Sequence, residues 1–276
     1  MIDKIYKRKV FNRAANSYEK FSGIQDQISQ NLLEKLECRN INPTNILDLG
    51  CGTGKNGLHF LKKFKKISLV NFDLSENMLE QARKKLTTSS INFVNNSTNF
   101  HVCGDMENLP FRDNLFDLVW SSSAIQWSDN LPIVLKHINR ILKPNGFFIF
   151  STFGPETLKE LRMINEVLYN HPKTNNFLDL KDIRGFLALE GFENSSFDVK
   201  SYRLDYANVE DILYDIKGVG ATNGNKKRSK GLRGREFINI MKQHYEKYRE
   251  GELYPATYEV IYGVVSNKNY KNSEHF

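Results

Sequence analysis

The residues with the clearest chemical capacity are Asp48-Leu49-Gly50-Cys51-Gly52-Thr53-Gly54, which follow an apolar run and open a helical pattern. Glycines at every second position let the backbone approach a ligand closely, and the amides of a helix start favour a carboxylate or phosphate. Two further carboxylates stand downstream: Asp73, closing a strand-like run, and Asp105, in Gly104-Asp105-Met106-Glu107-Asn108-Leu109-Pro110-Phe111. A carboxylate at the end of the second strand can accept from both hydroxyls of a ribose. Taken literally, Gly52-Thr53-Gly54-Lys55-Asn56-Gly57 also satisfies the G-x-G-x-x-G pattern of dinucleotide sites, a short and unspecific match. On local grounds alone Asp73 could instead precede a capped helix, and Asp105 could serve a turn.

These residues need elements to hold them. Ile46–Leu49 reads as a short buried strand, a helix runs to about Lys66, and a second strand spans Ile67–Asp73. Ser75 is placed to cap a helix carrying Met78, Leu79, Ala82 and Leu86. The Ser-, Thr- and Asn-rich stretch Thr87–Asn99 reads as a loop. Strands follow at Phe100–Cys103, Phe116–Ser121 and Phe147–Thr152, and a helix Leu131–Leu142 stops at Lys143-Pro144-Asn145-Gly146. This alternation from 46 to 152 predicts an α/β fold with a parallel, doubly wound sheet.

Upstream, Phe11, Ala14, Tyr18, Phe21, Ile24, Ile28, Leu32 and Leu36 recur at helical spacing and predict one or two amphipathic helices over 10–37. Downstream the pattern predicts helices at about 156–168 and 179–189, then an alternating strand Ser196–Tyr206. Helices within 209–250 are separated by the Gly- and Lys-rich Gly218–Gly234, Thr257–Val265 is strongly β-type, and a polar tail follows.

A chain of 276 residues, 40% hydrophobic and 26% charged, can bury the core of one α/β domain with additions. No apolar run approaches the roughly 18 residues of a membrane helix, and the basic N-terminus lacks the apolar segment of a signal peptide. Asp3 and Glu19 count against a mitochondrial presequence. Cys38, Cys51 and Cys103 show no metal-type spacing and the six histidines are scattered, so the expectation is no metal and reduced thiols in a cytoplasmic protein. A net charge of +7 asks for an acidic partner: nucleic acid, anionic lipid or an acidic protein.

Together the acidic residue, the glycine loop, Asp73 and Asp105 resemble the ordered motifs of class I methyltransferases; Phe116-Asp117-Leu118-Val119 and Leu142–Phe147 match that family's later landmarks. The resemblance implies S-adenosylmethionine as cofactor. Asp48, Gly50, Cys51, Gly52 and Gly54 would hold its amino-acid end, Asp73 with Leu74 the ribose, and Asp105 with Met106 the adenine; Ser122 completes the set. A longer resemblance runs from about 8 to 265. Phe11–Tyr18, Gln126-Trp127, Ser151–Arg162, Lys217–Asn223 and Thr257–Gly263 look like the malonyl-carrier-protein O-methyltransferases of biotin synthesis.

That resemblance implies a seven-stranded sheet whose last strand is antiparallel. It divides the chain into lid helices over 1–40, a core of 41–206 and 254–266, a helical insertion over 207–253 and a tail from 267. The implied reaction esterifies the free carboxyl of malonyl-acyl carrier protein. A carboxylate is already an anionic nucleophile, so no general base is required, and alignment and water exclusion supply the rate. Tyr18 is the candidate catalytic residue, with a core role in its helix as the alternative. Lys217, then Arg203, are candidates to grip the substrate carboxylate, with Gln126, Trp127 and Asn223 as further substrate contacts. The basic run Lys226, Lys227, Arg228, Lys230, Arg233 and Arg235 would dock the acidic carrier protein; it lacks the interleaved aromatics that stack nucleic-acid bases. Rival readings are a methyltransferase of another small acid or quinone, a methyltransferase-fold assembly factor and, least favoured, an NAD-dependent oxidoreductase.

Overall fold

A computed structural model describes residues 4–39, 41–88, 96–162, 177–221 and 235–267. Seven strands, β1 (Asn45–Leu49), β2 (Ser68–Asp73), β3 (Thr98–Cys103), β4 (Phe116–Ser122), β5 (Leu142–Phe153), β6 (Phe192–Tyr206) and β7 (Tyr254–Asn267), form one sheet in the order β3-β2-β1-β4-β5-β7-β6. Neighbours from β3 through β5 pair in parallel, whereas β7 runs antiparallel to both β5 and β6. The strand order therefore reverses between β1 and β4, where a crevice opens beyond the strand ends.

Helices cover both faces. They are α1 (Lys4–Ala14), α2 (Tyr18–Phe21), α3 (Gly23–Glu37), α4 (Lys55–Lys63), α5 (Glu76–Thr88), α6 (Leu131–Ile141), α7 (Leu180–Leu189), α8 (Val209–Gly218) and α9 (Arg235–Tyr245). Strand residues point alternately to the two faces, which sorts them into two cores. Ile46, Leu118 and Trp120 join Ile28, Leu32, Leu36 and Phe60 on one side. Leu47, Leu49 and Val119 join Leu135, Ile138 and Phe148 on the other. Coverage of both faces explains why β1 and β4 read as continuous apolar runs rather than alternating ones.

Several boundaries moved. The N-terminal pattern resolves into three helices, with breaks after Ala14 and Phe21. Helix α4 stops at Lys63 because Phe64 turns extended and buries its ring, and Lys66 takes a positive φ of 56°. Strand β5 starts at Leu142, which already pairs with Phe116, so the Lys-Pro-Asn-Gly stop lies inside its irregular beginning, with Asn145 left-handed. Ser266 and Asn267 extend β7 and are buried, and Asn267 donates to the Lys143 carbonyl at 3.0 Å. The polar tail thus begins beyond 267, outside the described residues. Residues 163–168 of the expected 156–168 helix also lie outside the described residues, and of the remainder 159–162 are helical. Among the described residues no helix is long and apolar enough to cross a membrane, and no group of His, Cys, Asp and Glu is arranged to hold a metal ion.

Candidate active site

The glycine loop leaves β1 and enters α4 within five residues, which forces left-handed backbone: φ is 77° at Gly50, 53° at Gly52 and 78° at Gly54. Side chains disfavour that region, so the glycines are required by conformation. They also differ in surroundings. A Cβ on Gly54 would lie 2.8 Å from the Cβ of Ala82, and one on Gly50 would run into Ala124. A Cβ on Gly52 meets nothing within 4 Å, because that position faces the crevice. The loop is stitched to β2 by the Gly50 and Cys51 amides, which donate to the Phe72 carbonyl at 2.8 and 3.1 Å.

Asp73 ends β2 and shapes the next wall. Its carboxylate accepts from the Gly52 amide at 3.0 Å and the Ser75 amide at 2.8 Å. Burial pushes its carboxyl up, and these backbone donors work against the shift. Ser75 caps α5 as expected, accepting from the Met78 amide at 3.2 Å, and its hydroxyl donates to Asn12 on α1 at 2.6 Å.

On the opposite wall, Asp105 takes the Lys4 ammonium at 2.5 Å and the Glu107 amide at 3.0 Å. Glu107 in turn holds Lys4 and accepts from the Asp129 amide at 2.6 Å. Phe72, Leu74, Met78 and Met106 supply apolar walls between these carboxylates. The cleft thus offers the bare backbone of the glycine loop, a carboxylate placed for a diol, a flat apolar slot and a second carboxylate for an amine. That donor and acceptor set fits an amino-acid carboxylate, a ribose and an adenine.

The structure brings Gly50, Gly52, Asp73, Leu74, Asp105, Met106, Ser122, Tyr18 and Trp127 to this one cleft. It does not bring Asp48, Cys51 or Gly54 to its surface. Asp48 points into the sheet interior between Asn71 and Trp120, fully buried, with neither carboxylate oxygen partnered among the described residues. Burial first, and Asp73 second, push its carboxyl up to about 8. Cys51 is likewise buried, and burial raises its thiol further. Both act behind the loop, and Gly54 acts by packing on α5.

Sequence reasoning missed Lys4, Lys7 and Phe11, which share one face of α1 and reach into the cleft. Their i, i+3, i+7 spacing was the available signal, but two lysines read as a solvated face. Lys7 is only 4% exposed and donates to the Trp127 carbonyl; burial lowers its pKa to about 8, which Asp129 and Glu107 oppose. Ser123 was also missed: it is left-handed at φ 52°, and its buried hydroxyl has no partner among the described residues.

The proposed substrate contacts fare unevenly. Trp127 packs edge-on against Phe11 at 5.3 Å and forms a wall shared by the cofactor cleft and a second cavity of about 280 Å³. The segments that looked most family-specific converge on that second cavity, through Phe153, Thr157, Val219 and Tyr258. Gln126 turns away, donating to the Ser123 carbonyl at 2.7 Å and accepting from Thr152 at 3.3 Å. Lys217 lies in a surface groove beside Tyr6 and Arg13 of α1, apart from both cavities. Arg203 sits on β6 and is held by Asp205 and Glu250, each at 2.7 Å, with no access to either cavity. Asn223, Lys226, Lys227, Arg228, Lys230 and Arg233 lie outside the described residues, and Arg235 opens α9.

Comparison with known proteins agrees with this geometry. The methyltransferase-domain family matches residues 47–150. A malonyl-[acyl-carrier protein] O-methyltransferase of Methylovorus sp. (strain MP688) is 36% identical over 265 residues, spanning 95% of this chain and 88% of its own. The protein of that name from Gallionella capsiferriformans (strain ES-2) is 35% identical over 263 residues, spanning 95% and 90%. Among solved structures, a methyltransferase of Bacillus halodurans C-125 shares the fold with a TM-score of 0.59 at 20% identity, covering 87% of this chain and 100% of its own. Sheet order, glycine loop and paired acidic walls define a class I methyltransferase that uses S-adenosylmethionine. Within that class, the chain belongs to the malonyl-[acyl-carrier protein] O-methyltransferase family.

Proposed function

We propose that this chain methylates the free carboxyl of a malonyl thioester carried on acyl carrier protein, giving the methyl ester that primes pimeloyl synthesis for biotin. Its relatives carry that activity in their names. The single structural observation behind the proposal is the chemistry at the junction of the two cavities. Trp127 lines both cavities, Tyr18, Ser122 and Ser123 line the cofactor cleft beside it, and no histidine lines either cavity among the described residues. Asp73 and Asp105 are already engaged by backbone amides and Lys4. With no histidine in the cofactor cleft and with Asp73 and Asp105 engaged, a nucleophile that arrives ionised, as a carboxylate does at neutral pH, suits this site.

S-adenosylmethionine supplies an activated methyl on a sulfonium. The chain's own part is to align and to keep the junction dry. Tyr18 is our candidate positioning donor: burial, with Asp73 next, raises its phenol far above the usual value, so it stays protonated. Helices α1 to α3 and α8 to α9 would serve as the cover, with the basic run of 226–235 receiving the acidic carrier. Lys7 and Trp127 replace Lys217 and Arg203 as the groups best placed near the reacting carboxylate. We assign the reaction to the cytoplasm, in keeping with the free cysteines 38, 51 and 103.

The test is methyl transfer from labelled cofactor to a panel: malonyl-carrier protein, malonyl-coenzyme A, acetyl-carrier protein and aconitate. Label on malonyl thioesters alone supports the proposal. Label on aconitate alone overturns it in favour of a small-acid methyltransferase.

A further inference from the structure

The cofactor cleft accounts for neither the second cavity nor the polar groups set in its wall. Tyr206 donates to Asp215 Oδ2 at 3.0 Å, and Tyr258 lines the same wall. These residues come from β6, α8 and β7, so three separate elements converge on one polar cluster. All three line the cavity of about 280 Å³ that Trp127 divides from the cofactor cleft. Burial raises both phenols, so each remains a donor beside the carboxylate. Among the described residues nothing donates to Asp215 Oδ1.

Charge tells the two ends of the cavity apart. Lys20, on α2, is the one cation among its described lining residues, and it is exposed. A substrate carboxylate set beside Asp215 would meet like charge in a poorly solvated space, which is costly. The same carboxylate at the Trp127 end lies next to the space that receives a sulfonium cation. Asp215 is suited instead to accept an N–H. Phe153, Leu204 and Ile216 offer apolar walls between the ends. The volume is at the lower end of ligand pockets, roughly 300–1,000 Å³, so it suits an acyl group and a slim arm rather than any part of a folded carrier.

We infer that this cavity seats the amide-bearing thioester arm of the substrate, carboxylate first, with Asp215 accepting an arm amide N–H while Tyr206 and Tyr258 orient it. The inference rests on the malonyl-thioester reading above. It assigns a binding role to a segment, Val209–Gly218, that the cofactor motifs leave without one.

The test compares wild type, Asp215→Leu and Ile216→Trp on malonyl-carrier protein and on an S-methyl malonyl thioester, which has no amide. Affinity for S-adenosylhomocysteine, by calorimetry, reports that the variants are folded. Asp215→Leu is expected to raise KM for malonyl-carrier protein roughly ten-fold, the loss of one hydrogen bond to a charged acceptor. It should leave KM for the S-methyl substrate and the product affinity unchanged, which a merely structural role would not. Ile216→Trp, by filling the cavity, should raise KM for both substrates and spare product binding. Unchanged KM for malonyl-carrier protein in both variants overturns the arm site while leaving the methyl-transfer reading intact. Absence of transfer by wild type to either malonyl substrate overturns that reading, and this inference with it.

Discussion

The ammonium of Lys4 lies 2.5 Å from Asp105 Oδ2, so the first helix is tied to a carboxylate that lines the cleft. Partial burial works against the charge, but hydrogen bonds to Asp105 and Glu107 outweigh it and hold the lysine pKa above its usual value. The pair is about one-third exposed on each side, 37% and 32%, so solvent screens it. Lys4→Met is therefore expected to speed release of S-adenosylhomocysteine by about 1.4- to five-fold, the effect of losing an exposed ion pair of roughly 0.2–1 kcal/mol. Stopped-flow displacement checks this, and raising salt on wild type should move the rate in the same direction.

The glycine loop separates folding from binding. Gly52→Ala places a methyl in open space at a positive φ, at a cost of about 1–2 kcal/mol in stability. That methyl occupies the cleft itself, so cofactor affinity should fall further than stability does. Gly54→Ala should behave oppositely: its methyl strikes Ala82 of α5, so the melting temperature falls most. Calorimetric binding and thermal melts on the two variants decide between these patterns.

Asp48 gives a pH signature. Its folded carboxyl titrates near 8, against an ordinary value of 3.8. Between those pH values the native state retains a proton that the unfolded state releases, so Asp48 makes stability fall as pH rises from about 4 to 8. Asp48→Asn removes that loss. Urea unfolding should show the variant gaining on wild type by about 1–3 kcal/mol between pH 5 and pH 8. A difference independent of pH would contradict a buried, unpartnered carboxyl.

Tyr18 is expected to act by position, not by ionisation. Tyr18→Phe keeps the ring and should lower kcat by only a few-fold, whereas Tyr18→Ala opens the cleft and should lower it by about 100-fold, through lost alignment and admitted water. The pH profile of wild type should show no inflection from this phenol below pH 10, because burial raises it. A profile that loses an inflection below pH 10 in Tyr18→Phe would show a base instead.

Local pattern carried the sheet and the cofactor cleft. Strands β1, β2 and β4 are short apolar runs ending at glycine, aspartate and serine, and their periodicity is intrinsic to the segment. Asp73 and Asp105 could be placed at strand ends for the same reason: Asp73 closes β2, and Asp105 lies two residues past β3. Asp48 does not line the cleft because its place on the strand fixes which face it takes, and alternation turns it to the interior while Leu49 faces the other core. The substrate side was hidden because it is built from distant segments. Trp127, Tyr206, Asp215 and Tyr258 meet only through pairing of β7 with β5 and β6 and through the seat of α8. Lys217 and Arg203 were chosen for their charge; the fold sends one to a groove on α1 and gives the other to Asp205 and Glu250.

The most direct test of the whole account is the intact mass of malonyl-carrier protein after incubation with this chain and S-adenosylmethionine. The account requires a species heavier by one methylene, reverting on mild ester hydrolysis, and no such species from acetyl-carrier protein. An unchanged malonyl-carrier protein, under conditions where calorimetry shows the cofactor bound, would contradict it.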